Sequence, residues 1–349
     1  MGVEYAAERK ATGVDDSAVR RLTVWLGERL GESVAIGAVE RLSGGAIQEN
    51  WGLTLVHGDG REERLVLRRD AAAPIPSSRS RAEEFAVLKV ARAAGIAVPA
   101  PVALCTNEAV LGGPFFLMRH VSGIADPRLL VRNDSLIPDR PEFGAALGAA
   151  LARIHSLRPS RPDLSFLGPP DPDPAMARIR AQRWNLDRLA APQPAIEFVL
   201  RRLERDRPRP AAITLIHGDY RIGNIMVAKG RIAAVLDWEF ADWGDPDEDL
   251  GWFTARCWRF GCEDREAGGV AARADFYRGY EQISGRKVAS ERAPYWEAMA
   301  AIRWAIIALQ QGERHRAEEK PGLEAALSGR MAPQLVQEAM ARIAGSRHA

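Results

Sequence analysis

The sequence predicts an α+β protein of two lobes: a small N-terminal lobe built on an antiparallel β-sheet and a larger, mainly helical C-terminal lobe. Short alternating runs that stop at polar breaks fill the first third of the chain, and apolar residues recur at helical spacing from residue 141 onward. The chain also has 349 residues, more than one small core needs and enough for two domains. The expected division is 1–121 for the first lobe and 122–349 for the second.

Residues 15–30 carry Val19, Leu22, Leu26 and Leu30 near helical spacing behind an aspartate N-cap and stop at Gly31, which predicts a helix. AIGAVERL, the turn-rich SGGA at 43–46, WGLTLVH and RLVLRR read as a strand, a glycine loop and two further strands. Residues 79–94 return to helical spacing with Phe85, Leu88 and Ala91 on one face, and Pro99 and Pro101 end that pattern before the strand PFFLMRHV. Phe143, Leu147, Leu151 and Ile154 then mark a long helix. Residues 158–174 contain six prolines, so they are expected to form a surface loop.

Composition excludes several classes. Forty-eight basic and 46 acidic residues give a formal charge of +2, which provides no polycationic surface for nucleic acid. No apolar run approaches the length of a membrane-spanning helix, and the start MGVEYAAERK has no apolar leader segment. Three cysteines without CxxC spacing read as reduced thiols, so a soluble cytoplasmic protein is expected, monomeric or homodimeric. The chain has no GxSxG elbow, no P-loop and no metal-binding histidine pair, which sets hydrolases aside.

The chemistry concentrates in ITLIHGDYRIGNIMVAKGRIAAVLDWEFADWGDPDEDLGWF, residues 213–253. The apolar runs ITLI and AAVL each deliver polar groups at their ends, placing His217, Asp219 and Asn224 on one loop and Asp237 just after a hairpin strand. This stretch resembles the aminoglycoside phosphotransferase and choline kinase-like family, whose catalytic loop reads H-G-D-x-x-x-x-N followed by an apolar strand and an Asp. The wording HGDYRIGN, LDWEF and GDPDEDLGW looks closest to a subgroup also found fused to acyl-CoA dehydrogenases.

The resemblance implies a bilobal protein-kinase-like fold, with ATP or GTP and Mg²⁺ as cofactors and a small-molecule hydroxyl as phosphoryl acceptor. It gives Asp219 the role of accepting the hydroxyl proton, and Asn224 and Asp237 that of Mg²⁺ ligands. A side-chain amide and a carboxylate suit that hard ion. Arg221, two positions after Asp219, is expected either to neutralise the transferring phosphoryl group or to be a solvated surface residue. His217 is expected to support the loop and Asp249 to steady it from the next helix. In GDPDEDLGW, Asp245 reads as an N-cap, with Pro246 at the first helical position and Glu248 completing a capping box.

In the small lobe, Ser43, Gly44 and Gly45 are placed where backbone amides would approach nucleotide phosphates. Arg68 stands where the family often has lysine on the third strand, with Glu84 as its partner and Glu83 as the neighbouring alternative. Met118 is expected to flank the adenine, with the Arg119 carbonyl and the Val121 amide at its edge.

The acceptor is harder to read. Fusion relatives imply a hydroxy acid or its CoA ester. The basic run Arg178, Arg180, Arg183, Arg188, Arg201, Arg202, Arg205, Arg207 and Arg209 suits an anionic acceptor or an ordinary solvated helix face. The stripe Trp296, Met299, Arg303, Trp304 and Ile307 reads as core packing or as an acceptor wall. Two alternatives stand beside the small-molecule kinase: an aminoglycoside O-phosphotransferase, and a nucleotide-binding pseudokinase.

Overall fold

The strand pattern forms a five-stranded antiparallel sheet in the computed structural model, which describes residues 15–42, 48–70, 78–317 and 322–345. Its strands are β1 (Val34–Arg41), β2 (Gln48–His57), β3 (Glu62–Asp70), β4 (Pro101–Cys105) and β5 (Phe115–Arg119), in the spatial order β1-β2-β3-β5-β4. On β3 the two-residue period decides what each face does. Leu65 and Leu67 enter a core with Leu22 and Leu26 of the helix Asp16–Leu30. Arg68, on the opposite face, pairs in register with Phe116, whose ring lies 5.8 Å from that of Phe85 on the helix Arg81–Ala93.

Both helices end as their sequences dictate. Asp15 accepts the amide of Ala18, and Gly31 takes the left-handed conformation after Leu30, with φ +72°. Ser80 and Glu83 form a reciprocal capping box at the second helix.

The described residues fall into two units. The first runs up to Ser122 and also takes in Ala233–Ala241; the second comprises Gly123–Ile232 and residues from Asp242 onward. The first boundary lies one residue beyond the expected one. The short return at 233–241 adds a piece that a single cut of the sequence does not capture. It joins the first unit through the amide of Val235, which donates to the Ala97 carbonyl at 2.7 Å.

Within the second unit, the helices Arg140–Ile154 and Arg273–Ser284 cross at glycines. A Cβ on Gly148 would stand 1.9 Å from the Phe276 carbonyl oxygen, and one on Gly279 would stand 1.9 Å from that of Ala145. Backbone therefore meets backbone there. A separate core joins Ile179, Leu200 and Leu203 to Trp296, Ile302 and Ile306 of the helix Ala293–Arg316. Of the stripe Trp296, Met299, Arg303, Trp304 and Ile307, the first two are buried in this core and Trp304 packs against it.

Three short pieces frame the loop of interest. Strands β6 (Thr214–Ile216) and β9 (Asp242–Gly244) pair with each other, and β7 (Ile225–Ala228) pairs with β8 (Arg231–Val235). Lys229 and Gly230 between β7 and β8 both have positive φ, as a two-residue hairpin turn of the primed type requires.

Candidate active site

The loop after β6 is built around one carboxylate. Asp249, on the helix Pro246–Thr254, is buried and accepts the His217 amide at 2.7 Å and the Gly218 amide at 3.0 Å. His155 Nε2 stands 3.1 Å from it, and His155 Nδ1 is 2.9 Å from the Tyr280 hydroxyl. Burial alone would raise the Asp249 pKa, but the His155 hydrogen bond and charge and the His217 contacts outweigh it and hold the group below the usual carboxylate range. With its ends fixed, the loop turns at Gly218, whose φ of +75° is left-handed.

Asp219 follows at the apex, buried at 8% exposure. Its Oδ2 accepts Asn224 Nδ2 at 2.7 Å and Arg221 Nε at 3.1 Å, and its Oδ1 accepts the indole Nε1 of Trp252 at 2.9 Å. Asn224 Nδ2 also donates to the Asp219 carbonyl at 2.9 Å. Because the amide nitrogen serves the loop, the Asn224 side-chain oxygen is left as a hard donor of the kind Mg²⁺ takes. Asp219 N–H donates to His217 Nδ1 at 3.2 Å, so His217 shapes the loop. The Arg221 guanidinium lies 5.2 Å from the ring centroid of Trp258.

In the first unit Arg68 Nε donates to Glu84 Oε2 at 3.0 Å, and Arg68 Nη2 bonds Asp237. Glu83 is spent on its capping box, which decides between the two glutamates. Burial pulls the Arg68 pKa down, but Glu84, Asp237 and Glu239 more than offset it, so the guanidinium titrates above its ordinary value. Asp237 has φ +66°, a left-handed backbone unusual outside glycine. Met118 is half-buried near the end of β5, the exposed Arg119 side chain reaches Glu63 at 2.9 Å, and Val121 follows two residues on. Ser43, Gly44 and Gly45 lie outside the described residues.

Glu239 belongs to this first unit and had no part in the sequence reading. It is 2% exposed and accepts Gln48 Nε2 at 2.8 Å and the Ser78 hydroxyl. Burial and the Asp237 charge push its pKa up to about 7. Its ordinary value is 4.5, so between pH 4.5 and about 7 the native chain binds the proton that the unfolded chain releases. Stability attributable to this group therefore falls as pH rises through that window, by at most about 3 kcal/mol. Urea midpoints from pH 5 to 8 should drop more steeply in the wild type than in Glu239→Gln; parallel profiles would contradict the assignment.

One sequence expectation needs correction. Glu248 does not close a capping box: its carboxylate accepts Arg178 Nε at 2.8 Å, because the helix end is buried and the guanidinium needs a partner. Of its two readings, the basic run fits the charged helix face, because most of its arginines pair with nearby acids. Arg180 pairs with Asp171, Arg183 with Glu197 and Glu204, Arg202 and Arg205 with Asp206, and Arg207 with Asp173. The cations adjoining Asp219 come from elsewhere, Arg221 on the loop and Arg303 on the helix Ala293–Arg316. Arg303 Nη1 donates to the Gly218 carbonyl at 2.6 Å, and its guanidinium lies 4.4 Å from the Trp252 ring centroid.

An antiparallel sheet with an arginine–glutamate pair, and a helical unit whose loop presents Asp219 and Asn224, define a kinase-like phosphotransferase. The chain belongs to the phosphotransferase enzyme family (APH), whose model matches residues 38–286. It is 33% identical over 201 residues to acyl-CoA dehydrogenase family member 10 of Mus musculus, a match covering 55% of this chain and 18% of that protein. The chain thus spans about a fifth of that relative's length. Among solved structures, a protein from Ralstonia eutropha JMP134 assigned to the aminoglycoside phosphotransferases superposes with a TM-score of 0.74 at 22% identity, over 93% of this chain and 98% of that one. A thermostable mutant of aminoglycoside phosphotransferase APH(4)-Ia, solved with AMP-PNP and hygromycin B, gives a TM-score of 0.53 at 18% identity, over 91% and 98%. Among the described residues no helix is long and apolar enough to cross a membrane.

Proposed function

We propose that this chain transfers the γ-phosphoryl group of ATP to the hydroxyl of a small molecule bearing an anionic group, a hydroxy acid or its CoA ester. The observation that carries the proposal is the pair of cations at the loop: Arg221 bonded to Asp219, and Arg303 bonded to the preceding carbonyl. An aminoglycoside is polycationic, and two guanidinium groups beside the attacking hydroxyl would repel it. The acyl-CoA dehydrogenase kinship of the curated relative is consistent with an acyl acceptor.

In this role Asp219 orients the acceptor hydroxyl and takes its proton as the new oxygen–phosphorus bond forms and the bond from the γ-phosphorus to the bridging oxygen of the departing ADP breaks, and Arg221 meets the charge on the transferring phosphoryl group. Arg68, held by Glu84, binds the α- and β-phosphates in a fork. Asn224 and Asp237 would each offer an oxygen ligand to Mg²⁺, which when bound would neutralise phosphate charge. Ser43, Gly44 and Gly45 would cover the phosphates, and Met118, Arg119 and Val121 would border the adenine.

Mg²⁺-dependent ADP release from ATP should be measured against hydroxy acids, their CoA esters, aminoglycosides and choline. Acceptor-dependent release with an acidic compound is the expected result. Turnover with an aminoglycoside alone would overturn the acceptor class, and ATP binding with no turnover anywhere would favour a pseudokinase.

A further inference from the structure

We infer that Trp252 is a positioning residue for phosphoryl transfer, fixing which oxygen of Asp219 receives the acceptor hydroxyl; this rests on the kinase reading above. An ionised carboxylate offers about four lone-pair sites. Among the described residues, Oδ2 accepts two donors, Asn224 Nδ2 and Arg221 Nε, whereas Oδ1 accepts only Trp252 Nε1. The remaining lone pair is thus on Oδ1, and the hydroxyl donates there, beside the indole edge.

Burial and two contacts keep the indole from swinging away. Trp252 is 3% exposed, and the Trp258 ring lies 5.1 Å from its own, centroid to centroid. Arg303 stands over its face, anchored through Nη1 to the Gly218 carbonyl. One arginine therefore ties together the ring that holds Asp219 and the backbone that carries it. The hydrogen bond is also not a default of burial, because the indole nitrogens of Trp51, Trp258 and Trp296 are buried without a partner among the described residues.

Losing the N–H while keeping an aromatic ring should let Asp219 rotate about its side-chain torsions and misplace the hydroxyl. Misplacement of that order costs rate and leaves nucleotide binding alone. In Trp252→Phe, the kcat of Mg·ATP hydrolysis with water as acceptor should fall about 10-fold or more while KM for ATP stays within about two-fold. A purely structural tryptophan would shift both or neither.

A second measurement does not depend on turnover. The Trp252 indole N–H resonance, identified by its absence in Trp252→Phe, should move upfield in Asp219→Ala as its carboxylate acceptor is lost. An unmoved resonance overturns the contact whether or not the protein hydrolyses ATP. A resonance that moves, with wild-type kcat in Trp252→Phe, overturns the positioning role and leaves the kinase reading standing.

Discussion

Asp219→Asn is expected to lower phosphoryl transfer about 10²–10⁴-fold, the usual reach of a positioned general base, with ATP affinity retained. The carboxamide keeps the shape of the side chain but cannot take the hydroxyl proton. It also cannot satisfy its surroundings. Three N–H donors converge on the carboxylate, from Trp252, Arg221 and Asn224, so either amide orientation sets an NH₂ group against a donor. That mismatch should cost about 1–3 kcal/mol of stability. Turnover equal to the wild type would remove Asp219 from its proposed role.

Asp249→Ala should be the most damaging single change to the fold around the loop, at about 3–5 kcal/mol. It strands two backbone amides, His217 and Gly218, and the Nε2 edge of the His155 ring, all buried where water cannot replace the lost acceptor. Asp249→Asn should cost less, since one oxygen still accepts. Urea unfolding of the three proteins measures the order, and a loss below about 1 kcal/mol in the alanine variant would show that the loop closes without this carboxylate.

Legibility in the sequence follows the range of the interactions. Alternation on β3 and the caps at Asp15 and Ser80 depend on residues a few positions apart, so the sheet and its two flanking helices can be read directly. The loop from His217 to Asn224 is likewise local, closed by a contact five residues long. Glu239 is different: its partner Gln48 lies 191 residues away, and nothing in WEF marks that glutamate for burial. The same holds for Trp252, which reads as one more apolar residue of GWF until its nitrogen is found on Asp219, 33 residues back. The arginine run stays open to two readings in sequence for a related reason, because a count of charges along a helix says nothing of acids that fold against it.

Arg68 has a consequence for how such an enzyme is detected. Acyl-phosphate nucleotide probes report ATP sites by acylating the amine of a lysine beside the phosphates. A guanidinium stays protonated and is no nucleophile, and here the Glu84 and Asp237 carboxylates stabilise its charge further. A survey of kinases by amine labelling would pass over the proposed nucleotide site, whereas Arg68→Lys would make it visible.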